Sequence, residues 1–308
     1  MKATLTKSFC LLATWAVLLG CDTVEMPVPA AVTSSLTAAE QQALDTREQQ
    51  LPAPANEQRA FLEDFTGQFC GNCPRAGAVA VQLKNQYGER LVAVEEHETD
   101  FFAAPKAYAP YQVDYRVPVV SQEIEQAFAL AALPKGAVSR LPLGTSSSLV
   151  LEYADWGAAV AAQLAKTPQQ ELRLTPLYDS VTHVLKLKVA SRYLVAQPNR
   201  KFRLGIFLSE DNLVGGQKDY DRPSGQQDLT NYVHHHVLRA ALAGTFGTLQ
   251  ATNPLKGQAF ATYLGYTLPV SATNPARTQW KAKNVSVVAY LADDATREIV
   301  QTIEVKLL

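Results

Sequence analysis

Sulfur is scarce in this chain, with four cysteines and two methionines among 308 residues. Two of the cysteines, Cys10 and Cys21, stand near the N-terminus, so no disulfide framework of the kind that staples small secreted domains can be built. Charge is sparse too. Asp, Glu, Lys and Arg make up 19% of the residues, and the formal net charge is -1 with no long basic block. That excludes the electrostatic footprint of a nucleic-acid binder. No apolar run reaches the roughly 20 residues that a membrane-spanning helix needs. A nucleophile elbow, a P-loop and a dinucleotide fingerprint are all missing. The acids around Gly215-Gly216 (Glu210, Asp211, Asp219, Asp221 and Asp228) do not have EF-hand spacing. No cofactor is expected. What is present is ordinary globular material: 47% apolar residues in a length that suits one large domain or two smaller ones.

The N-terminus reads as a targeting segment. Lys2 and Lys7 form a positive region, and Ser8 to Gly20 form an apolar stretch too short to span a bilayer. It ends in Leu18-Leu19-Gly20-Cys21, which resembles the bacterial lipobox, in which a cysteine is lipidated and becomes the first mature residue. Residues 1–20 are therefore expected to be a lipoprotein signal peptide, with Cys21 carrying the membrane anchor. Each buried CH₂ of its acyl chains would contribute about 0.8 kcal/mol. Residues 21–57 are poor in apolar side chains and broken by Pro27, Pro29, Pro52 and Pro54, and read as a flexible tether. Thr37-Ala-Ala-Glu40 has the spacing of a capping box and could start one short exposed helix there.

With Cys10 removed and Cys21 lipidated, Cys70 and Cys73 are the only free sulfurs, and in an oxidising envelope compartment they tend toward a disulfide. They are two residues apart. The apolar run Ala60 to Phe65 precedes them, and a helical pattern through Tyr87, closed by Gly88, follows. Leu91 to Glu95 then reads as a buried parallel strand. Strand, CxxC, helix, strand is the layout of a thioredoxin-like redox unit, expected over 58–145. An aromatic, proline-punctuated insertion at 98–132 holds a helix near Ser121–Leu130.

In such a unit Cys70, placed at a helix N-terminus, is the attacking sulfur, and Cys73, one turn in, is the resolving one. Asp64 lies six residues before Cys70, the spacing of the buried proton-relay carboxylate in thioredoxins; it reads equally as an exposed acid at a strand end. Pro134, just before a short apolar strand, stands where those folds place a cis-proline facing the cysteines. Phe69 replaces the usual Trp, and Gly71-Asn72 replace the usual Gly-Pro. A static disulfide is the other reading of the pair, although a ring this short removes little chain entropy.

A linking helix is expected over 146–168. From 169 to 308 the pattern turns to strands (172–177, 183–195, 202–208, 263–268, 285–292 and 298–307), which suggests an antiparallel sandwich. In a continuous strand His234 and His236 would share one face, making them weak candidates for metal ligation, alone or with Cys70 and Cys73. Hydrogen bonding at a domain junction is the simpler role. His97 and His183 read as ordinary sheet residues.

Three segments add a family resemblance. Glu63-Asp-Phe-Thr-Gly-Gln-Phe-Cys-Gly-Asn-Cys-Pro74, Leu133-Pro-Lys-Gly-Ala-Val-Ser-Arg140 and Asn231-Tyr-Val-His-His-His-Val-Leu-Arg239 occur in order. Together they resemble the signatures of the outer membrane protein 28-related lipoproteins, with Ser139 and His235 where Asn is usual. The resemblance runs from Phe61 to the C-terminus. It implies a thioredoxin-like domain, an Ig-like C-terminal sandwich and an outer-membrane address. It leaves two functions standing: thiol–disulfide exchange on envelope or surface proteins, or a surface-displayed binding protein or adhesin that uses the fold as scaffold. The residues after Cys21 do not distinguish the periplasmic from the outer face.

Overall fold

The computed structural model describes residues 34–270 and 279–308. The expected signal peptide and Cys21 lie outside the described residues. Helix α1 (Ala38–Gln49) is followed by β1 (Ala60–Thr66), α2 (Cys73–Tyr87), β2 (Leu91–His97), α3 (Asp100–Ala103), α4 (Pro118–Phe128), β3 (Lys135–Val138) and α5 (Trp156–Leu164). The remainder is strand: β4 (Gln170–Asp179), β5 (Val184–Tyr193), β6 (Lys201–Glu210), β7 (Leu213–Lys218) and β8 (Asp228–His234). Then come β9 (Val237–Ala241), β10 (Thr248–Thr252), β11 (Ala259–Thr267), β12 (Val285–Asp293) and β13 (Ile299–Lys306).

The fold is mixed α/β with several sheets. The largest runs β13-β12-β6-β9-β2-β1-β3, with β10 continuing the edge of β6 beside β9. A second sheet, β11-β5-β4, packs over its C-terminal half, and β7 with β8 forms a separate hairpin. β1 and β2 pair in parallel, with Asp64 opposite Glu95, while β3 runs antiparallel to β1. The seam between the two halves of the large sheet is narrow. β2 meets β9 at the single pair Glu95–Val237, closed by the Glu95 N–H donating to the His236 carbonyl at 2.9 Å.

Strand periodicity explains how one sheet serves two cores. Every residue of β12 is buried. Its Val287, Ala289 and Leu291 enter the sandwich core with Leu185, Leu187, Ile206 and Leu208. Its Val288, Tyr290 and Ala292 enter another core with Phe61, Phe65, Val92 and Phe207. Side chains from the segments 58–145 and 169–308 therefore share a core and are not two independently packed bodies.

Part of the stretch expected to be a flexible tether is docked. Thr37 and Glu40 form the capping box at the start of α1, as their spacing indicates. Leu44 is fully buried, and Lys188 of β5 reaches Asp45 at 2.7 Å and Glu48 at 2.6 Å. The Ser34 amide pairs with Gly265 on β11. Leu44 is the buried residue of α1 itself, with Leu36 buried just before it, and Lys186, Tyr263 and Arg173 add polar contacts to Glu40, Asp45 and the Glu48 carbonyl. Leu44→Ala is expected to cost about 2–5 kcal/mol, the usual range for a buried leucine. That is enough to undock residues 34–52 locally. Limited proteolysis should then cut within α1 while the remaining fragment keeps its melting temperature.

Candidate functional site

The site lies at the C-terminal end of β1, where the chain turns from Gly67 into α2. Apolar burial fixes the strand on both faces. Phe61 and Phe65 point into one core, and Ala60 and Leu62 point into the core beneath α2. The turn is closed by the Cys70 N–H on the Gly67 carbonyl at 2.9 Å and the Cys73 N–H on the Cys70 carbonyl at 3.2 Å. Cys70 and Cys73 are joined as a disulfide. The helix starts at Cys73, not at Cys70, with Pro74 in its first turn where a missing N–H is tolerated. Cys70 thus sits in the turn that leads into the helix.

The structure puts the other expected residues around this turn. Lys135 pairs with Phe65, so Pro134 borders the end of β1, and the Leu133–Pro134 peptide is cis. Leu133 packs in the same core as the two cysteines. Asp64 is buried and its Oδ1 has no hydrogen-bond partner. Burial, reinforced by the neighbouring Glu95, pushes its carboxyl well above the usual carboxylate range. Asp64 lines a cavity of about 430 Å³ together with Pro74, Gly77, Glu95 and Tyr232. The cavity therefore reaches from the buried acid to the first turn of the helix that carries Cys73.

The disulfide is covered. Cys70 is 1% exposed and Cys73 is 3% exposed. The cover is the β7–β8 hairpin with its connecting loop. The Lys218 N–H donates to the Gln68 carbonyl and the Tyr220 N–H to the Gly71 carbonyl, each at 2.8 Å. The Gln217 side-chain amide donates to the carbonyls of Cys70 at 3.0 Å and Gly67 at 3.3 Å. The Tyr220 ring lies so close over Gly71 that a Cβ there would come within 2.5 Å of it. Arg75 and Asp221 close the outer rim as an exposed ion pair.

Segment 98–132 packs along the other side. The Phe69 N–H donates to the Phe102 carbonyl, and the Phe69 ring lies between Lys106 and Lys218, edge-on to Tyr111. Gln217 and Tyr220 were not legible as site residues. The available signal was Gly215-Gly216, since glycines inside a strand mark close backbone approach. Here a Cβ on Gly215 would lie 1.9 Å from the Tyr115 hydroxyl, and one on Gly216 would lie 2.3 Å from the Pro110 carbonyl oxygen.

His234 and His236 do not share a face. β8 ends at His234, and His236 has a φ of 54°, which turns the chain before β9. His236 lies against Asp211. His234 instead meets Glu95 and His97 of β2, with its Nδ1 3.1 Å and the His97 Nε2 2.9 Å from the same Glu95 oxygen. Burial opposes ionisation of Glu95, but the hydrogen bonds to His234 and His97 outweigh it and hold the carboxyl below its ordinary range. His97, read from sequence as an ordinary sheet residue, is thus part of a buried cluster, and the disulfide-bonded cysteines are not.

The chain is similar to several solved structures. HBP35 of Porphyromonas gingivalis is 16% identical with a TM-score of 0.59, over 83% of this chain and 77% of that one. A domain of the outer membrane lipoprotein Omp28 from Porphyromonas gingivalis is 19% identical with a TM-score of 0.28, over 46% of this chain and 90% of that one. A protein of Agrobacterium tumefaciens is 12% identical with a TM-score of 0.46, over 82% of this chain and 97% of that one. No curated relative matches the chain. Among the described residues no helix is long and apolar enough to cross a membrane. The family described as outer membrane protein Omp28 matches residues 121–307, more than half the sequence, and the chain belongs to that outer-membrane family.

Proposed function

We propose that this outer-membrane protein is anchored by lipid on Cys21 and carries a thioredoxin-like thiol–disulfide exchange site joined to an Ig-like sandwich. The observation that carries the reading is the Cys70–Cys73 disulfide at the turn from β1 into α2, with Leu133 packed in its core and buried Asp64 near the end of the same strand. In the bonded form the pair is an electron acceptor. A thiolate of a substrate dithiol attacks the Cys70 sulfur, the Cys70–Cys73 bond breaks, and Cys73 leaves as a thiolate. Asp64, whose carboxyl burial pushes well above the ordinary range, is the proposed proton donor to that thiolate. The second substrate thiolate then attacks the sulfur bound to Cys70. Substrate leaves as a disulfide, and the protein keeps both electrons as a dithiol. Envelope or surface proteins with paired cysteines are the substrate class.

The burial of Cys70 under the hairpin favours a second reading, in which the fold is the scaffold of a surface binding protein or adhesin and the disulfide is static. Cys73→Ser in the full chain separates the two. The exchange reading expects mixed disulfides on Cys70, visible as adducts on non-reducing gels, removed by dithiothreitol and missing from a Cys70→Ser/Cys73→Ser chain. A Cys73→Ser chain that forms no adduct, even when Gln217→Ala loosens the hairpin, would leave the scaffold reading standing alone.

A further inference from the structure

We propose that Glu95, His97 and His234 form a binding site for a single divalent zinc ion, independent of the cysteine chemistry. The donor atoms converge. Glu95 Oε1, His97 Nε2 and His234 Nδ1 all lie within 4.8 Å of one another, and the oxygen stands 2.9 Å and 3.1 Å from the two nitrogens. Neighbouring donors around a tetrahedral ion with bonds of about 2.0–2.1 Å are themselves roughly 3.3 Å apart, a spacing within the range the three donors already span.

The contacts around the rings define the site further. His234 Nδ1 lies 3.1 Å from Glu95 Oε1, and its Nε2 lies 3.3 Å from the Gly216 carbonyl oxygen. His97 Nε2 faces the same oxygen, and a rotation of the Glu95 carboxylate off the line of the two nitrogens opens a position that all three donors reach. The outer contacts of His234 and Glu95 match those of metal-ligating groups, in which a histidine's other ring nitrogen meets a carbonyl and the carboxylate is itself hydrogen-bonded, whereas His97 Nδ1 has no hydrogen-bond partner. Glu95 Oε2 accepts the His235 N–H at 3.3 Å.

The rings are also held in place. Tyr115 packs 5.1 Å from His97 and 4.8 Å from His234 between centroids, and Tyr232 lies 4.8 Å from His234. Two imidazoles and one carboxylate form a nitrogen-rich set suited to zinc, whereas calcium and magnesium prefer oxygen ligands. The cavity of about 430 Å³ reaches Glu95 and Tyr232 at the edge of the site, while His97 and His234 lie buried behind them. The donors come from β2 and β8, far apart in sequence, so the site exists only in the folded chain. Zinc bound there ties the hairpin to the large sheet and stabilises the fold by mass action.

The test uses the full tag-free chain, treated with chelator under non-reducing conditions so that Cys70 and Cys73 stay bonded. Titration calorimetry with zinc, and cobalt substitution followed by visible absorption, read stoichiometry and ligation. One zinc per chain and a rise in melting temperature with added zinc are expected. His97→Gln and His234→Gln should each lower affinity by more than about 100-fold, because loss of outer contacts alone typically costs 10–100-fold. His183→Gln and His236→Gln should leave it unchanged. Glu95→Gln, nearly identical in size, covers the case in which a histidine variant does not fold. Absence of zinc binding by the unaltered chain, or binding that survives unchanged in His97→Gln or Glu95→Gln, overturns the assignment. In both cases the two histidines and Glu95 are simply a hydrogen-bonded network, and the mixed-disulfide result is unaffected.

Discussion

Arg140→Met should lose about 3–5 kcal/mol of stability, the usual consequence of leaving one member of a buried ion pair without its partner. Against a total of roughly 5–15 kcal/mol for a domain, that leaves the chain close to unfolded. Arg140 and Glu63 are among the most completely enclosed charges in the protein, at 1% and 0% exposure. The guanidinium grips the carboxylate through two nitrogens, Nε 3.0 Å from Oε2 and Nη2 2.5 Å from Oε1. Three rings surround it: Tyr290 at 5.2 Å, Phe246 at 5.3 Å and Phe128 at 5.8 Å from centroid to Cζ.

The surroundings make the loss worse. Glu96 is also buried on this face, with neither carboxylate oxygen hydrogen-bonded. Burial and the neighbouring Glu63 push its carboxyl well above the ordinary range, while Arg140 pulls it back. Removing the cation therefore leaves one carboxylate uncompensated and worsens the burial of another. Denaturant midpoints followed by circular dichroism check the claim. The double variant Glu63→Gln/Arg140→Met should recover most of the loss, because it removes both charges together. A single variant within about 1 kcal/mol of the unaltered chain would contradict this account.

The second large effect concerns the hairpin over the disulfide. Gln217→Ala should speed reduction of Cys70–Cys73 by dithiothreitol roughly tenfold, with a loss of global stability no larger than ~1–3 kcal/mol. A buried disulfide can be attacked only from a locally opened state, so its rate follows the free energy of opening. The closed state holds two main-chain hydrogen bonds, from Lys218 and Tyr220, and two from the Gln217 amide to Gly67 and Cys70. Each contributes about 0.5–1.5 kcal/mol net. Removing the Gln217 pair lowers the opening cost by about 1–3 kcal/mol, and each 1.4 kcal/mol is a factor of ten. Arg75→Ala should have a much smaller effect, since Arg75 and Asp221 are largely exposed and screened. Rates measured by thiol trapping after timed exposure to reductant decide the matter. Equal rates in Gln217→Ala and the unaltered chain would mean that the hairpin does not control access.

Much of the α/β part was legible because its signals are local. The apolar run before the cysteines, the helix closed at Gly88 and the strand after it all appear, with β1 and β2 each extended slightly beyond the expected ends. Most of the longer C-terminal strands were legible for the same reason, since each carries an apolar run or an alternation of period two. β7 to β10 were not. β8 reads mostly exposed and carries little apolar signal, since the hairpin packs over the turn and gives a core only Leu213 of β7, beside Tyr115 and Val237. β9 and β10 are five residues each and share the edge of β6, so neither has room to display a period.

The histidines illustrate the boundary. By itself the sequence determined a strand–CxxC–helix unit with Asp64 and Pro134 at telling spacings, and a strand-rich C-terminal part, because those features depend on neighbours within a few positions. It also marked Asn231 to Arg239 as a motif. Only the tertiary structure decided that His236 turns away, and that His234 crosses to Glu95 and His97. Only the tertiary structure put Gln217 on the Cys70 carbonyl and the Tyr220 ring over Gly71. These contacts join residues more than 100 positions apart. They arise from sheet pairing and loop packing, which the local pattern of apolar residues does not encode.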